Sequence, residues 1–463
     1  MRTTVTLAIL LALAVPVTAR PAVRHRAVAA RPTSRTLPDT ADIRALRSAY
    51  QFAFPIYAMM RTRGATVTRT AAYGIDGINR LFPRTALADA SSRDVTTPNN
   101  DTLYASAWLD LSGGPVRFDM PPMGRRYHSA ALMNLFTDNV AIVGTRSGDG
   151  SGRYLIVGPG WHGEAPDGVK LLRSDTNDAW LLARVLVDGP SDLAAASAAV
   201  GTLKLDASLA HATPTKAVPT PEPDAATLLD VVNEALGRTP LPPEVAARIA
   251  AMAPQGIRPG ASGVFAQLSP AAQKLWTTAL PLLRNELKAG IAGVGTVIDG
   301  WNYPGPGIGN FGADDAGRAR VALGGLAALP REEAVYLTAS TDQAGAPLNG
   351  GKAYIAHIPG HLPVGAFWSL TMYQVEADGR LFFVDNPLGR FALGSRSDTM
   401  HAERDGSLDI FIQTSQPSGE RVVNWLPAPK GALRLVFRAY LPKDGLRDST
   451  LHLPPVTVSE VVP

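Results

Sequence analysis

The spacing of apolar residues changes several times along the chain and divides it into helical and strand-like regions. Residues 41–90 begin with a helical pattern. Between Asp42 and Met60, apolar residues recur every three to four positions, which predicts a helix that Pro55 must bend or break. From about residue 95 to 210, short apolar runs between Gly, Pro, Asp and Asn residues predict strands and turns. The predicted strands of this region are Leu103–Leu109, Tyr127–Met133, Val140–Val143 and Tyr154–Val157.

A Pro/Thr-rich linker at residues 213–223 precedes a second helical region, residues 224–298. Ser269 and Pro270 form an N-cap sequence for the longest helix of this region, which we expect to kink near Pro281. From about residue 319 the strand pattern returns. Helices and strands therefore occur in separate blocks, which favours an α+β, mainly β fold. We expect two β-sandwich or jelly-roll-like domains with a helical N-terminal segment and a helical bridge.

The length of 463 residues exceeds what one hydrophobic core usually supports, so more than one domain is expected. The predicted segments are a signal peptide (1–19), a disordered basic arm (20–40), a β-domain with an N-terminal helix (41–212), a linker with a helical bridge (213–318) and a second β-domain (319–463).

The first 19 residues have the pattern of a secretory signal peptide. Arg2 precedes an apolar run, Leu7–Val15, that is too short to cross a bilayer, and the small residues before Ala19 place the cut after Ala19. An uncleaved anchor is the alternative. No other run is long enough for a transmembrane helix, so the sequence predicts a periplasmic or secreted protein.

Composition and charge exclude several functional classes. The chain has no cysteine, so disulfides, thiolate metal sites and cysteine nucleophiles are excluded. The net charge is +4, but residues 20–40 alone contain five arginines and one aspartate, and Arg2 adds another charge. The rest of the chain is therefore close to neutral, and binding of nucleic acid is not expected.

The densest polar cluster is the run Thr97–Tyr104 (TPNNDTLY). Pro98 disfavours a helix, and Asn and Asp tolerate turns and cap their own backbone, so a turn leading into a strand explains the pattern without a function. The functional interpretation is that these side chains point into a cleft as hydrogen-bonding groups or, for Asp101, as a general base.

Other polar groups flank predicted strands. Arginines at 126, 146 and 390 could each clamp a carboxylate or sulfate, or could equally pair with an internal aspartate. His357 and His361 have the spacing of zinc ligands on a helix, but Pro359 and Gly360 between them exclude that helix. No metal and no cofactor is expected.

Several motifs in chain order resemble two protein families of unknown function. Asn99–Asp110 (NNDTLYASAWLD), Gly144-Thr145-Arg146 and Gly158–Trp161 (GPGW) resemble family DUF1254, and Leu329–Tyr336 (LPREEAVY), Pro363–Tyr373 (PVGAFWSLTMY), Asp385–Arg390 (DNPLGR) and Leu435–Pro442 (LVFRAYLP) resemble its usual partner, DUF1214. The resemblance implies two β-sandwich or jelly-roll-like domains bridged by helices. It implies no established reaction.

The first functional hypothesis is that an exported protein binds a small polar, carbohydrate-like ligand in a cleft lined by Asn, Asp, Arg and aromatic side chains. The candidate ligand-binding residues are Asn99, Asn100, Asp101, Tyr104, Arg126, Tyr127, Arg146, Trp368, Tyr373, Asn386 and Arg390. The alternative is a hydrolase or lyase that uses Asp101 as base, with Arg126 or Arg146 stabilising negative charge. A homo-oligomeric structural protein is the second alternative, because the low charged fraction of 18% permits large interfaces.

Overall fold

The computed structural model describes residues 37–93, 96–148, 150–291, 295–377 and 379–459. The predicted signal peptide, and the predicted basic arm as far as residue 36, lie outside these residues. Residues from Leu37 onward form one compact unit. No helix in the described part of the chain combines the length and apolar character needed to cross a membrane.

The N-terminal helix is α1 (Ala41–Ala71). The Oγ1 atom of Thr40 caps it by accepting from the backbone N–H of Ile43 (3.3 Å). The helix continues through Pro55, so of the two predicted effects, a bend or a break, the break does not occur. Pro55 is itself buried in the packed face, and this packing stabilises the turn that lacks one hydrogen bond. The helical pattern does not extend to residue 90, because the chain leaves the helix at a left-handed Gly74.

Nine strands follow in the first half of the described chain. They are β1 (Phe82–Pro83), β2 (Thr102–Asp110), β3 (Val116–Met120), β4 (His128–Asn134), β5 (Asn139–Gly144), β6 (Gly152–Val157), β7 (Val169–Arg173), β8 (Asp178–Leu186) and β9 (Lys204–Asp206). They form a five-stranded sheet in the order β1-β2-β8-β4-β5 and a four-stranded sheet in the order β7-β6-β3-β9. Apolar side chains of both sheets pack in one core between them, which makes this half a β-sandwich.

The remaining α-helices of the described chain lie between the end of β8 and residue 334. They are α2 (Leu193–Gly201), α3 (Ala225–Gly237), α4 (Pro243–Ala251), α5 (Val264–Gln267), α6 (Pro270–Gly290) and α7 (Asp315–Gly325). The predicted N-cap of α6 is confirmed, since Ser269 accepts from the backbone N–H of Ala272 (3.2 Å). Apolar faces of α1, α3, α6 and α7 share one core.

The second half contains a further two-sheet arrangement. Its strands are β10 (Thr296–Ile298), β11 (Trp301–Tyr303), β12 (Ala334–Ala339), β13 (Tyr354–Ile358), β14 (Val364–Val375), β15 (Leu381–Phe382), β16 (Ala392–Gly394), β17 (Leu408–Gln413), β18 (Trp425–Pro427), β19 (Leu433–Pro442) and β20 (Thr457–Val458). The larger sheet has the order β10-β11-β12-β19-β14-β15, with β16 on β14, and the smaller has the order β18-β17-β13-β20. Strands β10 and β11 lie before residue 319, so this sheet begins earlier in the chain than the predicted domain boundary.

The expected α+β class, with a helical N-terminal segment and a helical bridge, is confirmed. The two larger sheets each turn one face into their own sandwich core. Side chains from their other faces, on β2 and β8 in one sheet and β12 and β19 in the other, line a shared cavity. The fold therefore places a large cavity between the two sandwiches.

Candidate functional site

Strand alternation decides which side chains of the first sheet face the cavity. In β2 and β8, one set of alternate residues enters the sandwich core and the other lines the cavity. The register pairs the cavity-facing residues into three cross-strand rungs, which are Tyr104 with Arg184, Ser106 with Leu182, and Trp108 with Trp180. Neighbouring rungs are two residues apart along each strand, so the first and third rungs are separated by about 13 Å.

The second sheet follows the same rule. Leu337 of β12 and Phe437 of β19 enter its sandwich core, whereas the alternate residues on either side of them line the cavity. Tyr336 lies opposite Arg438, and Thr338 lies opposite Val436. Each sheet therefore contributes one cross-strand arginine–tyrosine pair to the cavity wall.

The cavity has a volume of about 970 Å³ and a strongly positive lining. Seven arginines and one aspartate, Asp89, are the charged residues among its described walls. The volume is that of a site for a small molecule. The excess of guanidinium groups favours an anionic ligand over a neutral or cationic one.

Arg184 is a buried cation with no carboxylate partner among the described residues. Arg184 is 4% exposed, and no ion pair links it to an acidic group in the described parts of the chain. Nη2 donates to the carbonyl oxygen of Ala327 (3.1 Å) and the guanidinium lies 5.6 Å from the ring centroid of Tyr104, but Nη1 is buried with no hydrogen-bond partner among the described residues. An unpaired buried charge is costly, so this arrangement suits a ligand that supplies the missing negative charge.

Arg438 occupies the equivalent position on the second sheet and is 3% exposed. Its Nη1 donates to Thr371 Oγ1 (2.7 Å) and its Nη2 to the hydroxyl of Tyr373 (2.6 Å). Its hydrogen-bond partners are therefore neutral. Burial alone would lower the pKa of Arg438, but interactions with Tyr373, Tyr440 and Asp101 raise it above its ordinary value. The guanidinium stays charged at neutral pH.

The phenol groups beside these arginines stay protonated at neutral pH. Burial raises the pKa of Tyr336 to about 12 and also raises that of Tyr440. Arg184 and Arg438 both act electrostatically on Tyr336, so this phenol lies within the field of the two guanidiniums. A protonated phenol can donate a hydrogen bond to an anion, which adds neutral donors to the cationic ones.

The opposite end of the first-sheet ladder is apolar. Trp108 and Trp180 stack with ring centroids 4.6 Å apart, and the indole Nε1 of Trp180 donates to Ser106 Oγ (2.8 Å). Trp108 belongs to an apolar cluster that includes Met59 of α1, with Leu326 packed against it. The cavity therefore has a cationic region at its first rung and an apolar one at its third.

Two of the sequence-predicted site residues line this cavity. Tyr104 forms the first rung with Arg184. Asn99 donates from Nδ2 to the hydroxyl of Tyr440 (2.8 Å), and its Oδ1 accepts from the backbone N–H groups of Asp101 (2.7 Å) and Thr102 (3.1 Å). Asn99 is thus both a turn cap and a cavity residue. Asn100 instead donates to the carbonyl oxygen of Ala88 and holds the neighbouring loop.

Asp101 lies apart from the described cavity lining. It is 1% exposed, forms an ion pair with Arg396 and accepts from Ser369 Oγ (2.7 Å). Both carboxylate oxygens therefore have protein partners. A general base needs an open pocket beside one of the candidate arginines, and this placement does not meet that condition.

Arg126, Tyr127 and Arg146 also lie outside the described cavity lining. Arg126 forms an ion pair with Asp192. The hydroxyl of Tyr127 donates to Glu333 Oε1 (2.7 Å), and Arg146 Nε donates to Glu333 Oε2 (2.8 Å). Because Glu333 is fully buried and precedes β12, these contacts join the first half of the chain to the second.

The remaining candidates have structural contacts. Trp368 packs in the second sandwich core against Phe437, and Tyr373 donates to the carbonyl oxygen of Pro98. Asn386 caps its own turn by accepting from the backbone N–H of Arg390 (3.1 Å). The Arg390 side chain donates to backbone carbonyls at residues 422, 423 and 425. No three acidic or histidine residues in the described regions come together as a metal site.

Arg184, Arg438, Tyr336 and Tyr440 were not among the predicted site residues. The sequence does contain a signal for the two arginines, because Arg184 is the one arginine in the apolar strand DAWLLARVL, and Arg438 shares the apolar strand LRLVFRAYLP with Arg434. An arginine in such a strand is rarely buried without a reason. What the strand pattern does not reveal is that the two face the same space.

Comparisons with known proteins agree with this architecture. A family model described as a protein of unknown function, DUF1254, matches residues 78–207, and a second, DUF1214, matches residues 333–444. No protein of curated function matches the chain.

Two solved structures are similar to the chain. A Vibrio parahaemolyticus protein from a structural genomics consortium has 21% sequence identity and a TM-score of 0.68, over 90% of this chain and 100% of that one. An uncharacterised Burkholderia cenocepacia protein has 14% identity and a TM-score of 0.45, over 92% of this chain and 91% of that one. At 21% identity, the likeness to the Vibrio protein concerns the fold alone.

Proposed function

We propose that the central cavity of this chain, whose two halves match the models of DUF1254 and DUF1214 in this order, binds a small organic acid. The observation that carries the proposal is the pair of buried arginines, Arg184 and Arg438, which have no carboxylate partner in the described chain. Of the small polar ligands expected from the sequence, the two arginines favour those with a negative charge.

The argument rests on the cost of burying charge. A guanidinium moved out of water loses several kcal/mol of hydration, which neutral hydrogen bonds to Ala327, Thr371 and Tyr373 offset only partly. A bound carboxylate would pair with the guanidinium groups and accept from the Tyr336 phenol. The ligand therefore supplies the negative charge that the buried guanidinium groups lack.

The enzyme alternative has less support. Asp101 is engaged by Arg396 and Ser369, and neither Arg126 nor Arg146 lines the cavity. We therefore favour a binding protein over a hydrolase or lyase built on Asp101.

The test compares acids with their neutral amides. Purified protein is titrated calorimetrically with benzoate and benzamide, and with glucuronate and glucuronamide. We expect the acids to bind and the amides not to. Arg184→Gln and Arg438→Gln should each weaken acid binding about 30-fold, since losing one partner of a desolvated charged contact costs about 2 kcal/mol or more.

The control for this experiment is Arg117→Gln. Arg117 is half exposed, lies outside the described cavity lining, and pairs with Asp206 at 3.9 Å. The substitution Arg117→Gln removes the same charge as Arg184→Gln but leaves the cavity lining intact, so it should leave the affinity for acids unchanged. Identical responses of the wild-type protein and Arg184→Gln to all four compounds would refute the proposal.

We also propose that the protein acts outside the cytoplasm. The support is the leader pattern of residues 1–19, with its positive first region and short apolar run. Expression of the full chain in a bacterium, followed by N-terminal sequencing of the periplasmic fraction, should find a mature chain that begins at Arg20. Retention of Met1 on all of the protein would contradict this.

A further inference from the structure

We infer that the ligand is an amphipathic acid, with its acidic group between Arg184 and Arg438 and a ring or alkyl body that extends to Trp108 and Trp180. This inference rests on the proposed function and specifies the chemistry of the same site. It distinguishes an acid with an apolar body from a hydroxylated sugar acid.

The two ends of the ladder differ in how their polar groups are satisfied. At the first rung, Nη1 of Arg184 has no partner among the described residues. At the third rung, the indole N–H of Trp180 donates a hydrogen bond to Ser106 Oγ. A ligand therefore finds an unsatisfied donor at one end of this wall and a satisfied, apolar surface at the other.

Helix α1 borders this end of the cavity with Thr62 and Thr66, and with Arg69 in its last turn. Thr62 and Thr66 line the cavity, but their hydroxyls donate to backbone carbonyls of the same helix, to Ala58 (2.9 Å) and Thr62 (3.2 Å) respectively. Each hydroxyl donor is therefore used within the helix. Met59 of the same helix packs in one cluster with Trp108, so this surface adjoins the third rung.

The distance between the ends sets the length of the ligand. Arg184 and Trp180 are four residues apart on β8 and both line the cavity, which separates them by about 13 Å along the strand. Leu182 lies between them on the same face. A six-carbon acid with a terminal phenyl ring reaches from one end to the other, whereas a single pyranose acid does not.

The test titrates the protein with 6-phenylhexanoate, hexanoate and glucuronate, which carry the same charge. We expect 6-phenylhexanoate to bind at least about tenfold more tightly than glucuronate, because burial of its ring and chain adds hydrophobic free energy. Hexanoate should fall between them. The intrinsic tryptophan fluorescence should change with 6-phenylhexanoate and less with the others, since Trp108 and Trp180 line the far end.

Two variants separate this inference from the proposed function. Trp180→Leu and, as a second route in case the first disturbs the fold, Leu326→Gln should each weaken 6-phenylhexanoate at least about fivefold and leave glucuronate unchanged. Arg184→Gln should weaken all three acids.

The outcomes are distinguishable. If glucuronate binds as tightly as 6-phenylhexanoate and still depends on Arg184, the amphipathic ligand is excluded and acid binding stands. The same conclusion follows if both apolar-end variants bind 6-phenylhexanoate as the wild type does. If Arg184→Gln leaves the affinity for all three acids unchanged, the proposal that the cavity binds acids is itself refuted.

Discussion

Substitution by methionine at Arg184 and at Arg238, whose side chain is 10% exposed, should change the stability of the protein in opposite directions. Arg184 has no carboxylate partner in the described chain, whereas Arg238 donates to Asp178 (2.6 Å) and Asp110 (2.8 Å), which are both buried. Methionine keeps much of the side-chain volume and removes the charge. We expect Arg184→Met to stabilise the ligand-free protein and Arg238→Met to destabilise it.

The magnitudes follow from the contacts. Arg184 recovers about 1 kcal/mol from its bond to Ala327 and about 1 kcal/mol from the Tyr104 ring, against a desolvation cost of several kcal/mol. Its replacement should raise the free energy of unfolding by about 1–2 kcal/mol. Arg238→Met leaves two carboxylates buried without this partner and should lower the free energy of unfolding by about 3–5 kcal/mol.

The assay is urea unfolding of protein freed of ligand by extensive dialysis, followed by tryptophan fluorescence. A change in the midpoint at constant slope reports the change in stability. If Arg184→Met loses as much stability as Arg238→Met, Arg184 is a structural residue. The reasoning from unpaired buried charge would then be refuted.

Three further predictions concern charge and protonation. Asp101→Asn should lower the free energy of unfolding by about 2 kcal/mol or more, because it leaves the largely buried Arg396 without its carboxylate partner. Urea unfolding measures this change. Calorimetry should find that the variant binds acids at least as tightly as the wild type. Burial raises the pKa of Tyr336 and of Tyr373 to about 12, so the stability that these phenols contribute is complete below pH 10 and is lost between pH 10 and 12. Circular dichroism during alkaline titration should detect unfolding in that interval. A fold that is unchanged at pH 12 would contradict this prediction. The rate of acid association, measured by stopped-flow fluorescence, should fall as salt is raised from 0.01 to 0.15 M because the excess arginines attract the ligand at long range, and a salt-independent rate would argue against this attraction.

The candidate site was predicted only in part from the sequence. The run Asn99–Tyr104 was recognised as a polar cluster, and two of its side chains line the cavity. Asp101 has the same local pattern but a different environment, because it contacts Ser369 and Arg396, which lie 268 and 295 positions further along the chain. Local sequence cannot distinguish a carboxylate that opens into a cavity from one that is paired behind its wall.

The arginines illustrate the same limit. Arginines within apolar strands are visible in the sequence at 184, 434 and 438. Whether such a side chain lies on an exposed face, pairs with an acid or lines a cavity depends on what covers that face of the sheet. Here the covering element is the other sandwich, whose position follows from long-range contacts such as those of Glu333 with Tyr127 and Arg146.

The sequence by itself determined the class of most segments, because helix caps, periodicity and turn residues act over a few positions. It indicated the α+β fold, the cap of α6 and a strand at the position of β2. Only the tertiary structure decided that the other face of β8 meets β12 and β19 across a cavity, with Arg184 and Arg438 in it. The physical reason is that the environment of a buried charge is set by residues distant in sequence, and it is this environment that converts an arginine in a strand into a binding group.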